Sequence, residues 1–442
     1  MEKVFYNQMS LVGQNEIRLT IFFNMLLTWM LFATQVTPYI HRNIPNVFNI
    51  TILFIWFLSI ALDKNGGLPT GKDRIVVYGA LYWLVEFVWR IVGLSELNYL
   101  VYFIRLSVFT IPLVSIYVLN YYSYREKKIL LLGLEVIFLA NLISNFYLFL
   151  IDPMLFFNLG VVTATGRATN AGGTSFVFVC ILFVTITLIK VLNTRFSTGS
   201  LLNVGMIVLC MIHVIFQNNR ATAFVILMVM IFSILLVSTG RVKNNLKLRL
   251  FVRGGVGLLL FISASIPFLE MSSTFFSDAY MGPRLAMLTS FLKGESSLTL
   301  VSGDSFSGRM ALMQAGLSTV FDSFFNFQFG IGEPDCGFFS VKQLLNAGVS
   351  NHSELIDSFT FYGVGGGIVY LLFFKSIANF VKGYCISSQM CRHCSVALIV
   401  IFIYSILNKL FVGDIMYMLV LYFPLTINLM SMNKQTFLLL KK

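Results

Sequence analysis

The residues best suited to acid–base chemistry stand together around position 352, in the run SNHSELIDSF. The imidazole of His352 can take or hold a proton near neutral pH. Glu354 and Asp357 follow closely, and Asp357 shares a face with His352 or Ser353 if the segment is helical. We therefore treat His352 as a candidate general base, with a purely structural histidine as the alternative.

Four arginines form a second set with chemical potential. Their guanidinium groups stay charged and present a planar fork that fits phosphate oxygens. Several of them at a membrane edge would suit a lipid-linked diphosphate, whereas each one alone could instead meet lipid head groups or a nearby carboxylate. The four are Arg167 in ATGRATN, Arg220 in QNNRATA, Arg284 in MGPRLAM and Arg309 in SFSGRMAL.

The sequence gives little support for a metal site. The run CRHC, from Cys391 to Cys394, has Cys385 upstream, but no second ligand pair follows at the spacing that zinc sites need. No phosphate-binding glycine loop, dinucleotide fingerprint or hydrolase motif stands in a convincing context. We therefore expect no metal and no cofactor.

The composition determines which elements must position these residues. Of the 442 residues 57% are hydrophobic and 11% are charged, whereas a soluble domain has about 25% charged residues. Soluble, fibrous, disordered and disulfide-scaffold classes are thereby excluded, and an all-α integral membrane protein is predicted. A spanning helix needs about 20 apolar residues, and about 12 such stretches are present. They are 19–38, 46–62, 75–95, 99–120, 129–150, 174–193, 200–217, 221–239, 250–268, 358–377, 395–411 and 414–432.

The distribution of basic residues predicts the orientation. Lys and Arg collect in cytoplasmic loops, and the short segments 124–128 (YREKK) and 241–249 (RVKNNLKLR) are strongly basic. We therefore expect both termini to be cytoplasmic, and we read the net charge of +12 as an effect of orientation and not as a sign of nucleic-acid binding. The basic residues left on the translocated side are Arg42, Arg167, Arg220, Arg284, Lys293, Arg309 and Lys342.

One translocated segment is far longer than the others. Residues 269–357 separate a transmembrane bundle of about 9 helices, within 1–268, from one of about 3 helices, within 358–442. We expect this segment to contain amphipathic helices.

One such helix is predicted inside the long segment. It should lie along the membrane surface or pack on the bundle. The GVGGG run at 363–367 permits close backbone packing where the next span enters the bilayer. The apolar positions spaced as one helical face are Met310, Met313, Leu317, Val320 and Phe324.

Taken in chain order, these features resemble a known family. Arg220 opens a span after a polar turn, the pair Gly308-Arg309 starts a helix, a G-x-G turn follows at 330–332, and NHS precedes a glycine-rich span. This order resembles the bacterial O-antigen polymerase and O-antigen ligase superfamily, which is similar in fold to the C-type membrane glycosyltransferases. The resemblance covers about residues 167–367, and the earlier spans match only in number.

The resemblance implies a reaction at the periplasmic face of the bacterial inner membrane. A glycan on undecaprenyl diphosphate would be transferred to a sugar hydroxyl of another lipid-linked repeat unit. Arg220 and Arg309 would hold the diphosphate in place of a metal ion, and His352 would orient or deprotonate the acceptor hydroxyl. Membrane lipids and a chain-length regulator protein would be the partners, with no nucleic acid. Further substrate contacts are expected at Arg167, Arg284, Asn351, Glu354 and Asp357.

Two alternatives stay open. A ligase would use the same loop and a similar histidine motif but would transfer the glycan to lipid A–core. A lipid-linked oligosaccharide flippase or another transporter would fit the span number and the intramembrane charges Arg105, Glu135 and Lys409. The NHSELIDSFTFYGVGGG segment looks more like the polymerase branch, and the long external loop without any internal repeat counts against transport.

Overall fold

The computed structural model describes ten parts of the chain and two single positions. Within these residues the chain forms helices and no strand, which confirms the all-α class. The described residues are 19–36, 46–62, 73–92, 107–151, 174–194, 198–216, 221–239, 306–332, 353–411 and 413–439, together with 270 and 274.

Helices follow one another along the described chain. The earlier ones are α1 (Leu19–Val36), α2 (Asn46–Leu62), α3 (Arg74–Val92), α4 (Ser107–Tyr121), α5 (Tyr124–Ile151), α6 (Thr174–Asn193), α7 (Thr198–Phe216) and α8 (Ala221–Thr239). The later ones are α9 (Phe306–Asp322), α10 (Phe324–Phe329), α11 (Glu354–Gly383), α12 (Ser388–Leu407) and α13 (Gly413–Met416), which continues through a π-helical stretch (Tyr417–Tyr422) into α14 (Phe423–Leu439). Each predicted apolar stretch that reaches the described residues coincides with a helix, and the stretch 250–268 lies outside them.

Several helices meet the requirements of a membrane-embedded protein. Five described segments are long and apolar enough to cross a bilayer. Shorter apolar helices accompany them in α1, α2, α4, α7 and α8. Twelve crossings, cytoplasmic termini and a periplasmic long segment stay predictions. The five segments are Tyr124–Tyr147, Phe176–Asn193, Glu354–Gly383, Ser388–Ile406 and Gly413–Met432.

The core surrounds α6 and the π-helical stretch. Side chains are buried on every side of these two elements, which is the pattern of a helix enclosed by other helices. In contrast, α2, α5 and α7 leave large apolar side chains exposed, among them Phe54, Leu132 and Leu202. In a membrane protein such faces are the ones that meet lipid.

The start of α5 differs from the sequence prediction, because the basic run YREKK forms the first turn of the helix and not a loop. Ser123 and Glu126 make a capping box: the Glu126 carboxylate accepts from the Ser123 N–H (2.7 Å), and the Ser123 hydroxyl accepts from the Glu126 N–H (3.3 Å). The ammonium group of Lys127 is buried and donates to the carbonyl of Leu119 (2.7 Å) at the end of α4. These contacts stabilise three charged or polar side chains, those of Ser123, Glu126 and Lys127, at the start of the helix.

The helix predicted in the long segment exists as α9 and packs on the bundle. Met313 and Val320 are buried as expected, but Leu317 is 44% exposed and Phe324 is 79% exposed. The predicted face was therefore wrong at these two positions. The buried stripe is centred on Gly316 instead, and Ser323 is extended (φ −145°, ψ 155°), which ends the helical register before Phe324.

Candidate functional site

Helix α11 consists of two arms joined at Gly363. This residue has φ 65° and ψ −165°, outside helical geometry. A Cβ placed on Gly366 would lie 2.9 Å from the carbonyl oxygen of Ser358, although residues eight apart in a straight helix are separated by about 12 Å. The short arm (354–362) therefore folds back on the long arm (364–383), which keeps about the 20 residues that a bilayer requires.

The short arm begins with three buried polar residues. The Ser353 hydroxyl caps the helix by accepting from the N–H of Ile356 (3.1 Å), and the Asp357 N–H donates to the Ser353 carbonyl (2.9 Å). Glu354 and Asp357 are each only 5% exposed. Both carboxylates lie in the first turn of the helix, where the positive end of the helix dipole stabilises negative charge.

The Glu354 carboxylate ties together three parts of the chain. One oxygen accepts from the Tyr82 hydroxyl of α3 (3.0 Å), and the other accepts from the backbone N–H of Leu410 (3.3 Å). The Glu354 N–H in turn donates to the carbonyl of Asn408 (3.3 Å). The Tyr82 hydroxyl also contacts the Ser358 hydroxyl at 3.0 Å. One buried carboxylate thus joins α3, α11 and the end of α12.

Helical structure is interrupted at the end of α12, next to Glu354. The helix stops at Leu407, four residues before the predicted end of the span, and Asn408 is extended (φ −153°, ψ 163°). Asn408, Leu410 and Phe411 are buried, while Lys409 between them is partly exposed. Non-helical backbone at membrane depth needs protein partners for its polar groups, and Glu354 supplies one of them.

Helix α9, which carries the GR pair, packs directly on the short arm of α11. Leu312 forms a small buried cluster with Phe361 and Tyr362. The Thr360 hydroxyl contacts the Gly316 carbonyl at 3.3 Å. These contacts bring the helix of the GR motif to the segment that follows the NHS motif.

The predicted G-x-G turn is present after α10. Gly330 and Gly332 have φ of 72° and 78°, in the left-handed region that glycine tolerates. The N–H of Ile331 donates to the Thr360 carbonyl (2.9 Å), and the N–H of Gly332 donates to the Phe361 carbonyl (3.0 Å). A Cβ on Gly330 would overlap the Phe361 carbonyl. The glycine-rich run 363–367 was expected to allow close backbone packing. This is confirmed at its first glycine, because the backbone of Gly363 packs against the backbone of Gln328 and Phe329.

The structure places some of the predicted site residues and not others. Glu354 and Asp357 stand together at the start of α11. The backbone of Arg309 is in α9, one turn before Leu312, and its side chain is outside the description. The roles assigned to all these residues stay predictions. Those that lie outside the described residues are Arg167, Arg220, Arg284, Asn351 and His352.

Two contacts of Glu354 were missed by sequence reasoning. Tyr82 is one of 18 tyrosines, and no motif distinguishes it from the others. The Leu410 N–H is a backbone group, so its use as a donor depends only on where α12 ends. A sequence signal would have required knowing that Glu354 meets a residue 272 positions away, in the case of Tyr82, and one 56 positions away, in the case of Leu410.

The CRHC segment has polar partners inside the bundle. It lies in the first turns of α12, where the His393 ring nitrogens contact the Asn193 amide (3.0 Å) and the Ser238 hydroxyl (2.9 Å). The sulfur atoms of Cys385 and Cys394 are 3.6 Å apart. Among the described residues, no three or more His, Cys, Asp or Glu side chains are grouped as metal ligands.

Removing the Tyr82 hydroxyl is expected to destabilise the protein. Tyr82→Phe deletes the hydrogen bond to Glu354 while keeping the ring, which packs beside Phe411 at a centroid distance of 5.4 Å. A buried hydrogen bond to a charged group contributes about 1.5–3 kcal/mol. The midpoint of thermal unfolding in detergent, followed by size-exclusion chromatography after heating, measures the loss.

The matched control for this experiment is Tyr370→Phe. Tyr370 is buried in the same aromatic cluster, 6.1 Å from the Tyr82 ring, and it is not one of the hydrogen-bond donors to Glu354. An equal loss of stability in both variants would contradict the importance assigned to the Tyr82–Glu354 bond.

Comparison with known proteins adds no identification. No protein-family model matches the chain, and no curated protein matches it either.

Proposed function

We propose that this chain is an O-antigen polymerase: a membrane glycosyltransferase that transfers an undecaprenyl-diphosphate-linked glycan to a sugar hydroxyl of another lipid-linked repeat unit. The reaction would take place at the periplasmic face of the bacterial inner membrane. The proposal rests first on the order of motifs in the sequence, from Arg220 to the NHS segment.

The observation that carries the proposal furthest is the packing of α9 on the short arm of α11. The GR helix and the segment directly after NHS share the Leu312 cluster and the Thr360–Gly316 contact. A diphosphate-binding arginine and an acceptor-activating histidine must both reach one reacting centre, so two such motifs should lie on elements that touch. The GR helix and the short arm of α11 do touch.

In the proposed mechanism, fixed positive charge stabilises the leaving group. Arg220 and Arg309 would bind the diphosphate as it departs, and such preorganised charge is a large source of transition-state stabilisation. His352 would accept the proton of the attacking hydroxyl. Arg167, Arg284, Asn351, Glu354 and Asp357 would complete the substrate site. Among these, Glu354 also has the structural contacts to Tyr82 and Leu410 described above.

A deletion strain tests the proposal through its lipopolysaccharide profile on a gel. Loss of the polymerase leaves ligation intact, so the core should carry a single repeat unit. A bare core with long lipid-linked polymer would instead indicate the ligase alternative. A bare core with no lipid-linked polymer would indicate a flippase, because no repeat unit would reach the periplasmic face.

Transport is the second candidate, and one specific feature favours it. The break after α12 and the fold at Gly363 are discontinuities in membrane-type helices, and transporters often build their sites at such breaks. Lys409 lies in the break. Another intramembrane charge has a structural partner, however, since Glu135 pairs with Lys190 (3.3 Å) and accepts from the Tyr422 hydroxyl (3.2 Å). We therefore keep the polymerase as the preferred function.

Arg309→Ala is expected to weaken polymer formation without affecting membrane insertion. Loss of a hydrogen-bonded charge contact of 1.5–3 kcal/mol corresponds to a decrease of about 10- to 100-fold. Arg309→Lys should also be impaired, because lysine keeps the charge but loses the bidentate fork. Gln314→Ala, at an exposed position of the same helix, is the matched control. Ladders of wild-type length from both arginine variants would contradict the role of Arg309.

A further inference from the structure

The short helix α10 and the end of α9 expose an unusual number of aromatic rings. None of the α10 residues is buried. Phe321 stacks on Phe327 at a centroid distance of 6.1 Å, and Phe325 lies 5.1 Å from Phe329. We call this set the aromatic surface; its members and their exposed fractions are Phe321 (72%), Phe324 (79%), Phe325 (65%), Phe327 (37%) and Phe329 (45%).

The aromatic surface is poorly suited to water. Asp322 is the one charged residue among residues 321–332, whereas soluble protein surfaces carry about 25–35% charged residues. Contiguous exposed apolar patches mark sites of contact with a partner or a membrane. An apolar partner for these rings is therefore required.

The aromatic surface adjoins the apolar outer face of α3. The indole N–H of Trp89 donates to the carbonyl of Phe329. On the same helix, Leu84 is 46% exposed and Val88 is 38% exposed. Leucine and valine on the outer face of a membrane-protein helix meet lipid tails, and tryptophan is favoured near the edge of the bilayer. The rings thus continue the exposed apolar face of α3, a helix that overlaps the predicted span 75–95.

The aromatic surface is also held at a fixed position on the bundle. The Gly330 backbone packs against Phe361 and Gly363, and the Ile331 N–H donates to the Thr360 carbonyl. Close backbone contacts of this kind leave no room for a side chain between α10 and α11. The rings are therefore presented by a part of the molecule that is anchored next to α3 and α11.

We propose that the aromatic surface contacts the acyl chains of membrane phospholipids and seats α10 at the edge of the bilayer. The segment that contains α9 and α10 then approaches the membrane and does not project into water. This inference is independent of the proposed reaction, because it depends only on exposure, charge and continuity with α3.

Photolabelling in nanodiscs tests the inference. The full-length protein is reconstituted with phosphatidylethanolamine and phosphatidylglycerol, of which a fraction carries a diazirine in the acyl chain. After irradiation, trypsin releases residues 310–342 as one peptide and residues 43–64 as another, because basic residues flank both. The second peptide includes Phe54, which is 66% exposed on α2, and serves as the lipid-facing reference.

Lipid adducts on residues 321–329 of the first peptide are the expected result. The double variant Phe324→Ser/Phe325→Ser should lose most of these adducts, while Gln328→Ser, a change at an exposed polar position of the same helix, should retain them. If the double variant fails to insert into the membrane, the presence or absence of lipid adducts on residues 321–329 of the wild-type protein still tests the inference.

Two results would overturn the inference. An unlabelled 310–342 peptide beside a labelled reference would mean that another part of the chain or another protein covers the rings. Labelling that disappears on addition of undecaprenyl diphosphate would assign the surface to the polyprenyl chain of a lipid carrier and not to phospholipids.

Discussion

Replacing His352 by alanine is expected to abolish polymer formation. A positioned general base contributes about 10²–10⁴-fold to the rate of proton transfer from a hydroxyl. The residue after it, Ser353, is fully buried, caps α11 and lies 3.5 Å from the carbonyl of Ser405. The backbone next to His352 is thus anchored, as a catalytic histidine requires.

The measurement is the length distribution of polymer in a deletion strain to which each variant gene is returned. His352→Gln separates the possible roles: an amide keeps hydrogen bonding but cannot take the proton. If His352 is a general base, both variants should lose polymer formation. If it only orients the acceptor, His352→Gln should retain part of the polymer formation that His352→Ala loses. His41→Ala controls for a histidine change on the same predicted side of the membrane. Wild-type ladders from His352→Ala, at normal membrane levels, would remove this residue from the mechanism.

Gly363→Ala is expected to cause a large loss of stability. Its φ of 65° and ψ of −165° lie in a region that essentially only glycine adopts, and an L-residue held there costs about 1–3 kcal/mol. In addition, an alanine Cβ would lie 2.7 Å from the backbone nitrogen of Phe329 and overlap the carbonyl of Gln328. Backbone atoms cannot move aside without separating α10 from α11, so the fold between the two arms should be lost.

Gly365→Ala is the matched control, because a Cβ at this position meets nothing within 4 Å. Alanine favours a helix over glycine by up to about 1 kcal/mol, so this variant should be as stable as the original or more so. The thermal midpoint and the yield of monodisperse protein in detergent measure both changes. Similar behaviour of the two variants would show that the fold at Gly363 does not depend on glycine.

The helical framework could be predicted from sequence with good accuracy. The stretches 46–62 and 221–239 match α2 and α8 at both ends, because long apolar runs and the polar residues between them specify a helix locally. The turn at Gly330 and Gly332 and the close backbone packing at Gly363 were also recognisable. The prediction failed on the face of α9, since Leu317 and Phe324 follow an apolar spacing but are exposed.

The candidate site was only partly predictable. His352, Glu354 and Asp357 were recognisable because an imidazole followed closely by two carboxylates suits acid–base chemistry. Tyr82 and the Leu410 N–H did not, because an ordinary tyrosine and a backbone group carry no such signal. Their involvement depends on α3 and the end of α12 meeting the start of α11 in space.

The sequence alone determined that this is an α-helical membrane protein, and it determined the approximate positions of most helices along the chain. Both properties follow from composition and local spacing, which act within about 20 residues. Only the tertiary structure decided that the chain folds back at Gly363, that Glu354 joins three helical segments, and that five phenylalanine rings face outward. Each of these depends on contacts between distant residues, such as the 272 positions from Tyr82 to Glu354, and local periodicity contains no record of such contacts.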